Sequence, residues 1–267
     1  YPFEADFAGD VEILPPREGY GCRYLSTKTW DAVALYDAQG KKIWRYSEGG
    51  PNSVAAGDIR GDGTLCFAAG YNGSRGVVLL DENGNLLWRK KDSNVWQVGL
   101  LDAEGDGDIE IVHSNAAGEI VLRDGAGEVL SRAPRQDYFS HFAVVRWPVE
   151  NGRDAILTAG NGKVVLLRPD GGILAEYAAP SLMMAGEVRA VPVRLRAGEG
   201  AHLALLIRNT GLFSPSCLLV FDPTGRLVYH ERYRLDARAI SVLPTSKGAE
   251  RLLVGCGSEI LAYEAPE

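Results

Sequence analysis

Asp102-x-Glu104-x-Asp106-Gly107, with Glu110 three residues beyond the glycine, puts carboxylate oxygens at alternating positions around a sharp bend. A tight loop of this kind aims its oxygens at one hard cation, so Asp102, Glu104, Asp106 and Glu110 are expected to hold a structural Ca2+. The competing reading is an Asx-type turn whose carboxylates accept backbone N–H bonds. Related loops are less apt. Asp58-x-Arg60-x-Asp62-Gly63 has a guanidinium at the middle position and Cys66, a soft ligand, at the fourth. The copy at Asp6–Glu12 is two residues shorter. Calcium here would stiffen a turn, not catalyse.

A second polar set recurs at long intervals. Ser53, Gln97, His141, Arg189 and Arg238 are 44, 44, 48 and 49 residues apart, and Tyr1 falls near the same register. Two positions earlier, on the same face of an extended chain, stand Val95, Phe139, Glu187 and Asp236. Arg189, Arg238 and His141 bring donors only, and guanidinium forks match a carboxylate, sulfate or phosphate bidentately. The same residues admit two catalytic readings. Glu187 and Asp236 form a carboxylate pair of the kind glycoside hydrolysis uses. Alternatively, His141 or Tyr1 abstracts a proton from a uronate held by the arginines, as a lyase requires. An arginine two residues from each acid should lower its pKa and make it a poor general acid. The plainest alternative is that Arg189 and Arg238 simply pair with Glu187 and Asp236.

The elements that position these residues are repeats. Leu35-Tyr36-Asp37-Ala38-Gln39-Gly40 leads to Ile43-Trp44, and Leu79-Leu80-Asp81-Glu82-Asn83-Gly84 leads to Leu87-Trp88. Weaker copies lie at 124–127, 168–171 and 222–225, and the last is cut off at Tyr263. A period of about 44 residues is the length of one four-stranded propeller blade. Apolar runs are short and punctuated by Gly, Asn and Asp, with no helical periodicity, so the chain is expected to be all-β. Six repeats are expected within one β-propeller domain spanning 1–267, at about 1–46, 52–90, 96–132, 140–177, 188–230 and 237–267. The last repeat lacks its fourth strand. The preferred reading is one six-bladed ring, the alternative a piece of a larger one. First strands line the centre of such a ring, so the polar register would rim a channel mouth above Ala55, Gly99, Ala143 and Val191. Loops 15–29, 178–186, 209–216 and 231–235 share that face and carry Tyr20, Tyr24, Trp30, Met183, Met184, Phe213 and Tyr233. Aromatic residues on irregular loops suit binding.

Bulk properties exclude several functions. A net charge of −7 without a basic stripe disfavours nucleic acid. No apolar run is long enough to span a membrane as a helix. Cys22, Cys66, Cys217 and Cys256 show no metal-knuckle or redox spacing, and Cys66 and Cys256 are expected to be buried thiols. No nucleophile motif is present, and His113, His202 and His230 read as ordinary strand or surface residues.

The Asp-x-x-Gly-x-x-x-Trp segments starting at Asp37 and Asp81 resemble the docking motif of PQQ-like (quinoprotein-type) propeller repeats. The turns at Asp58–Gly63 and Asp102–Glu110 resemble the calcium loops of FG-GAP/VCBS repeats. The resemblance implies a β-propeller, but not one function. Quinoprotein enzymes have larger rings and adjacent cysteines over the cofactor. This chain has six repeats and no Cys-Cys, so no PQQ is expected, and Trp44 and Trp88 read as wedges between blades. The expected function is a non-enzymatic binding or scaffolding propeller recognising a protein segment or anionic glycan, as a monomer or part of a larger chain. A carbohydrate-active enzyme, lyase before hydrolase, is the alternative. The resembling families point to an extracellular or periplasmic setting.

Overall fold

The structure, a computed structural model, describes residues 11–14, 16, 21–28, 30–134, 141–146, 153–160, 162–178, 187–208, 216–246 and 248–264. Their regular structure is entirely β, in six antiparallel sheets, five of four strands and one of three. The first sheet holds β1 (Val11–Leu14), β2 (Arg23–Lys28), β3 (Ala32–Tyr36) and β4 (Lys42–Tyr46). The second holds β5 (Pro51–Gly57), β6 (Cys66–Tyr71), β7 (Gly76–Leu80) and β8 (Leu86–Lys90). The third holds β9 (Val95–Leu101), β10 (Glu110–Asn115), β11 (Glu119–Arg123) and β12 (Val129–Pro134). These three sheets form one compact unit, residues 1–135.

The second unit, 136–267, begins with β13 (Ala143–Val145), β14 (Ala155–Gly160), β15 (Lys163–Leu167) and β16 (Ile173–Ala178). Its next sheet holds β17 (Glu187–Val193), β18 (His202–Arg208), β19 (Cys217–Phe221) and β20 (Leu227–Arg232). The last holds β21 (Ala237–Pro244), β22 (Glu250–Cys256) and β23 (Glu259–Tyr263). In every sheet neighbouring strands are consecutive in sequence. These are six blades, the last of three strands, as the repeats predict.

Composition follows depth within each blade. The middle strands, such as β6 (Cys-Phe-Ala-Ala-Gly-Tyr) and β7 (Gly-Val-Val-Leu-Leu), are buried along their whole length. A strand covered on both faces needs apolar side chains at every position, not at alternate ones. Each Val or Leu so buried contributes about 1.5–3 kcal/mol. Fourth strands such as β4 and β8 are largely exposed and carry Lys and Arg beside their tryptophans.

The turn between third and fourth strands is built five times on one plan. In the main chain, Gly40 donates to Asp37 O, Gly84 to Asp81 O, Gly127 to Asp124 O, Gly171 to Arg168 O and Gly225 to Asp222 O, at 2.8–3.0 Å. Those glycines have φ between 80° and 85°, where a Cβ is costly. The leading aspartate locks the turn. Asp81 Oδ1 accepts from the amides of Asn83 (2.9 Å) and Asn85 (2.8 Å), and Asp37 and Asp222 make the same pair of bonds. Arg168 has no acceptor to offer, and there Asp170 takes the Gly172 amide instead.

The same glycines receive the neighbouring blade. Trp44 Nε1 donates to Glu82 O at 2.9 Å, and Trp88 Nε1 donates to Gly125 O at 3.0 Å. A Cβ on Gly84 would lie 2.7 Å from the Trp44 ring. Trp44 also meets Phe67 edge to face, ring centroids 5.2 Å apart. Both tryptophans do wedge between blades. In the second unit Ala175 stands at the tryptophan position, and Tyr177, two residues on, takes over. A Cβ on Gly225 would lie 2.3 Å from its ring, which also packs on Phe221.

Candidate functional site

Glu187 opens β17, Arg208 closes the adjacent β18, and Asp236 directly precedes β21. Because β17 and β18 are antiparallel, Glu187 lies opposite Arg208 in the ladder. Arg208 joins the two acids: its Nη1 donates to Glu187 Oε2 at 3.2 Å and its Nε to Asp236 Oδ1 at 3.0 Å. Arg189 caps one end, donating to Glu187 Oε1 at 3.0 Å, and Arg238 the other, donating to Asp236 Oδ2 at 2.6 Å. The buried Ser216 hydroxyl donates to Asp236 Oδ1 (3.3 Å) while accepting from the Ala237 amide (3.1 Å), which ties the array to the backbone. Three guanidiniums thus share two carboxylates.

The acids are held ionised. Burial works to raise the Glu187 carboxyl, but the charge of Arg189, the Arg208 bond and the charge of His141 outweigh it and hold it below its ordinary value. Burial also opposes ionisation of Asp236, and Arg238 and Arg208 again overcome it. Carboxylates stabilised in this way are poor proton donors near neutrality. The outer arginines remain accessible, with side chains 43% exposed for Arg189 and 69% for Arg238.

Arg208, which sequence spacing does not single out, links Glu187 and Asp236, and with them Arg189 and Arg238, in the second unit. Arg189 pairs with Leu206, the rung matching Ser53 with Gly70 and Gln97 with Ser114. Arg238 sits one residue out: a bulge lies between Ala237 and Ala239, and Ala239 occupies that rung. The second and third blades carry the same bulge, at Asn52 and Trp96, so Arg238 matches those residues and not Ser53 and Gln97. In the first unit Ser53 is buried, and its hydroxyl accepts from the Val98 amide at 3.3 Å, joining the second and third blades. Gln97 is half-buried beside it. Tyr1 and Phe139 lie outside the described residues. So do Tyr20, Met183, Met184 and Phe213. Of the aromatics expected on loops that are described, Tyr24 lies instead on β2, paired with Ile13 and Tyr36, and is half-buried, Trp30 is exposed and Tyr233 is buried.

No family model matches this chain, and no curated protein does. Solved structures do. BBS1N in complex with ARL6DN is 12% identical with a TM-score of 0.68, covering 97% of this chain and 80% of that one. The Pan2 WD40 domain of Neurospora crassa is 13% identical with a TM-score of 0.66, covering 96% and 75%. BamB from Moraxella catarrhalis is 13% identical with a TM-score of 0.58, covering 97% and 89%. The fold is a β-propeller. At these identities the likeness extends to the fold alone.

The propeller's acidic loop uses its carboxylates internally. Asp102 is buried; its Oδ1 accepts from the amides of Gly105 (2.6 Å) and Asp106 (3.1 Å), and its Oδ2 from Gly107 (3.2 Å). Glu110 accepts from the Ala103 amide at 2.9 Å, and burial pushes its carboxyl up. Asp106 accepts from Asp108, and Glu104 is exposed. Among the described residues no three His, Cys, Asp or Glu side chains gather as a metal cluster. Backbone donors engage Asp102, Asp106 and Glu110 in the manner of an Asx-type turn, the alternative to a calcium loop. If the turn alone accounts for the loop, millimolar CaCl2 should leave the melting temperature within about 1 °C of the value in EDTA, since only a ligand of the folded state raises it. A clear upward shift by calorimetry would support calcium at Asp102, Glu104, Asp106 and Glu110.

One buried cluster in the first unit departs from expectation. His113 is fully buried, and its Nε2 accepts from Arg123 Nε at 3.2 Å. Asp92, side chain 7% exposed, faces Arg123 Nη2 at 3.4 Å and Arg132 Nη2 at 3.5 Å, and accepts from Asn115 Nδ2 at 3.0 Å. Arg132 also reaches Glu119 at 2.7 Å. Burial, and next the charge of Arg123, push the His113 imidazole down to about 4. His113 is thus a neutral acceptor inside a charged network, not an ordinary strand residue. Cys66, Cys217 and Cys256 are buried free thiols.

Proposed function

We propose that this propeller is a non-enzymatic binding module that recognises a carboxylate-bearing segment of a partner protein through the Arg189–Glu187–Arg208–Asp236–Arg238 array. The observation carrying the reading is the excess of guanidinium over carboxylate, with the two outer arginines open to solvent. An incoming carboxylate would meet donor forks already oriented by Glu187 and Asp236, so little side-chain order is lost on binding. BBS1N, which shares the fold, is seen in complex with ARL6DN, so a propeller of this topology can serve a protein partner. The main-chain docking of Trp44 and Trp88 supports kinship with PQQ-like repeats as structural units, without their cofactor. A glycosidase would need one acid of the array to be protonated or free, and both are committed to arginines.

Fluorescence polarisation with a labelled Glu/Asp-rich peptide tests this. Saturable binding is expected, weakening as salt rises. The Arg189→Ala/Arg238→Ala double variant should lose affinity by roughly tenfold or more, equivalent to about 1.4 kcal/mol. Equal binding by the variant would overturn the assignment. New absorbance at 235 nm with a uronate polymer would instead favour the lyase.

A further inference from the structure

The hairpin turn between second and third strands needs a left-handed residue. Glycine supplies it in the second, third, fourth and sixth blades: Gly73 and Gly76 (φ 75° each), Gly118 (81°), Gly162 (78°) and Gly257 (61°). In the first blade the residue is Trp30, φ 67°, the one non-glycine with positive φ among the described residues. A bulky side chain disfavours this region because its Cβ crowds the following carbonyl. Nor is the strain offset by burial, since Trp30 is 74% exposed. Strain of this kind collects where a ligand is held.

Trp30 stands beside a cavity of about 510 Å³ lined by Gly49, Gly50, Asn72, Gly73, Arg75 and Asn94. The lining is pre-organised. Arg75 donates to the Gly49 carbonyl, and Gly73 N donates to Asn94 Oδ1. The side-chain amides of Asn52 and Asn72 exchange bonds at 2.8 and 2.7 Å, and Asn72 N donates to Gly50 O at 2.8 Å. A Cβ on Gly49 would lie 2.9 Å from the Trp30 carbonyl oxygen, so the connection between β4 and β5 comes this close to the turn only as glycine. Asp31 pairs with Arg45 and fixes the other side of the turn.

No aliphatic side chain contributes to this lining. A peptide anchor wants an enclosed apolar pocket, which is missing. What the site offers is one flat indole with amide and guanidinium groups around it. A pyranose ring has the matching shape: a C–H face that lies on an aromatic ring, and hydroxyls at its edge that both donate and accept. The single cation is shared with a carbonyl and lies near Glu48, so the site favours a neutral sugar over a charged one. We propose that Trp30, Asn72, Arg75 and Asn94 form a subsite for a neutral hexose unit of an oligosaccharide. It lies in the first unit and is independent of the arginine array.

The full-length chain can be titrated with cellohexaose, maltohexaose and N-acetylchitohexaose, followed by calorimetry and indole fluorescence. At least one should bind saturably and shift the fluorescence. Trp30→Ala should weaken that binding at least about tenfold, Trp30→Phe should retain part of it, and Asn94→Ala should reduce it. Trp30→Gly relaxes the turn, so loss of binding in that variant, with its melting temperature maintained, separates recognition from folding. No saturation by any of the three sugars overturns the proposal, as does undiminished binding by Trp30→Ala and Trp30→Gly. Saturable binding of a proline-rich peptide at Trp30, with no sugar bound, would overturn it in favour of a peptide site.

Discussion

Asp92→Ala should lower the stability of the first unit by about 3–5 kcal/mol, the usual consequence of leaving a buried partner charge uncompensated. Arg123, its side chain only 4% exposed, would lose its carboxylate, and Asn115 would lose an acceptor. The guanidinium can neither deprotonate nor reach water without opening the blade. In a thermal melt the loss should be of order 10 °C for the affected transition. Asp92→Asn keeps an oxygen acceptor and should fall between the two. A change within about 0.5 kcal/mol, as for a surface site, would show that the network carries no such load. The same cluster gives a pH dependence with a definite sign. The unfolded imidazole of His113 takes up a proton near 6.5, whereas the folded one resists until about 4. Protons therefore favour the unfolded state across that window. Stability should be full above pH 6.5 and decline towards pH 4 by up to roughly 3 kcal/mol. His113→Gln should flatten that decline, measured as urea midpoints at each pH.

Trp44→Ala should cost about 3–5 kcal/mol, the range for removing a large aromatic from packed surroundings. The indole fills the space over Gly84 and Phe67 and donates to the Glu82 carbonyl, so truncation leaves both a void and an unmet acceptor. Trp44→Phe should recover most of the packing and lose the hydrogen bond. Gly84→Val attacks the same contact from the other side, placing a branched side chain at φ 81° against the ring. Trp30→Ala, in the same sheet, should leave the unfolding midpoint unchanged or slightly higher. Equal losses for Trp30→Ala and Trp44→Ala in denaturant titrations would contradict this division of labour.

Much of the architecture is readable because it is local. Leu79-Leu80-Asp81 and Gly84 specify a strand, its turn and its return within a few residues, and the turn's carboxylate bonds its own backbone. Cooperation between distant segments is harder to read. Arg208 enters the array through strand pairing with Glu187, 21 residues away. Arg238 falls on the bulge itself, one residue before the rung that Ser53 and Gln97 occupy in their blades. His113 looks like a surface polar residue until Arg123 and Asp92 close over it. Tyr177 replaces a tryptophan from two positions downstream, which a fixed motif cannot register. Alternating acids suggest calcium, while the bonds from the same loop's backbone amides to Asp102 are set by a local bend that composition does not show.

The tryptophan wedges bond to main-chain carbonyls, at Glu82 and Gly125, and not to side chains. Such a handshake asks nothing of residue identity at its receiving end beyond room for the ring. Successive copies can therefore drift apart by point substitution while their mutual docking persists. This is one physical reason that shape can outlive sequence likeness here, with propellers of 11–13% identity still superimposing along most of the chain.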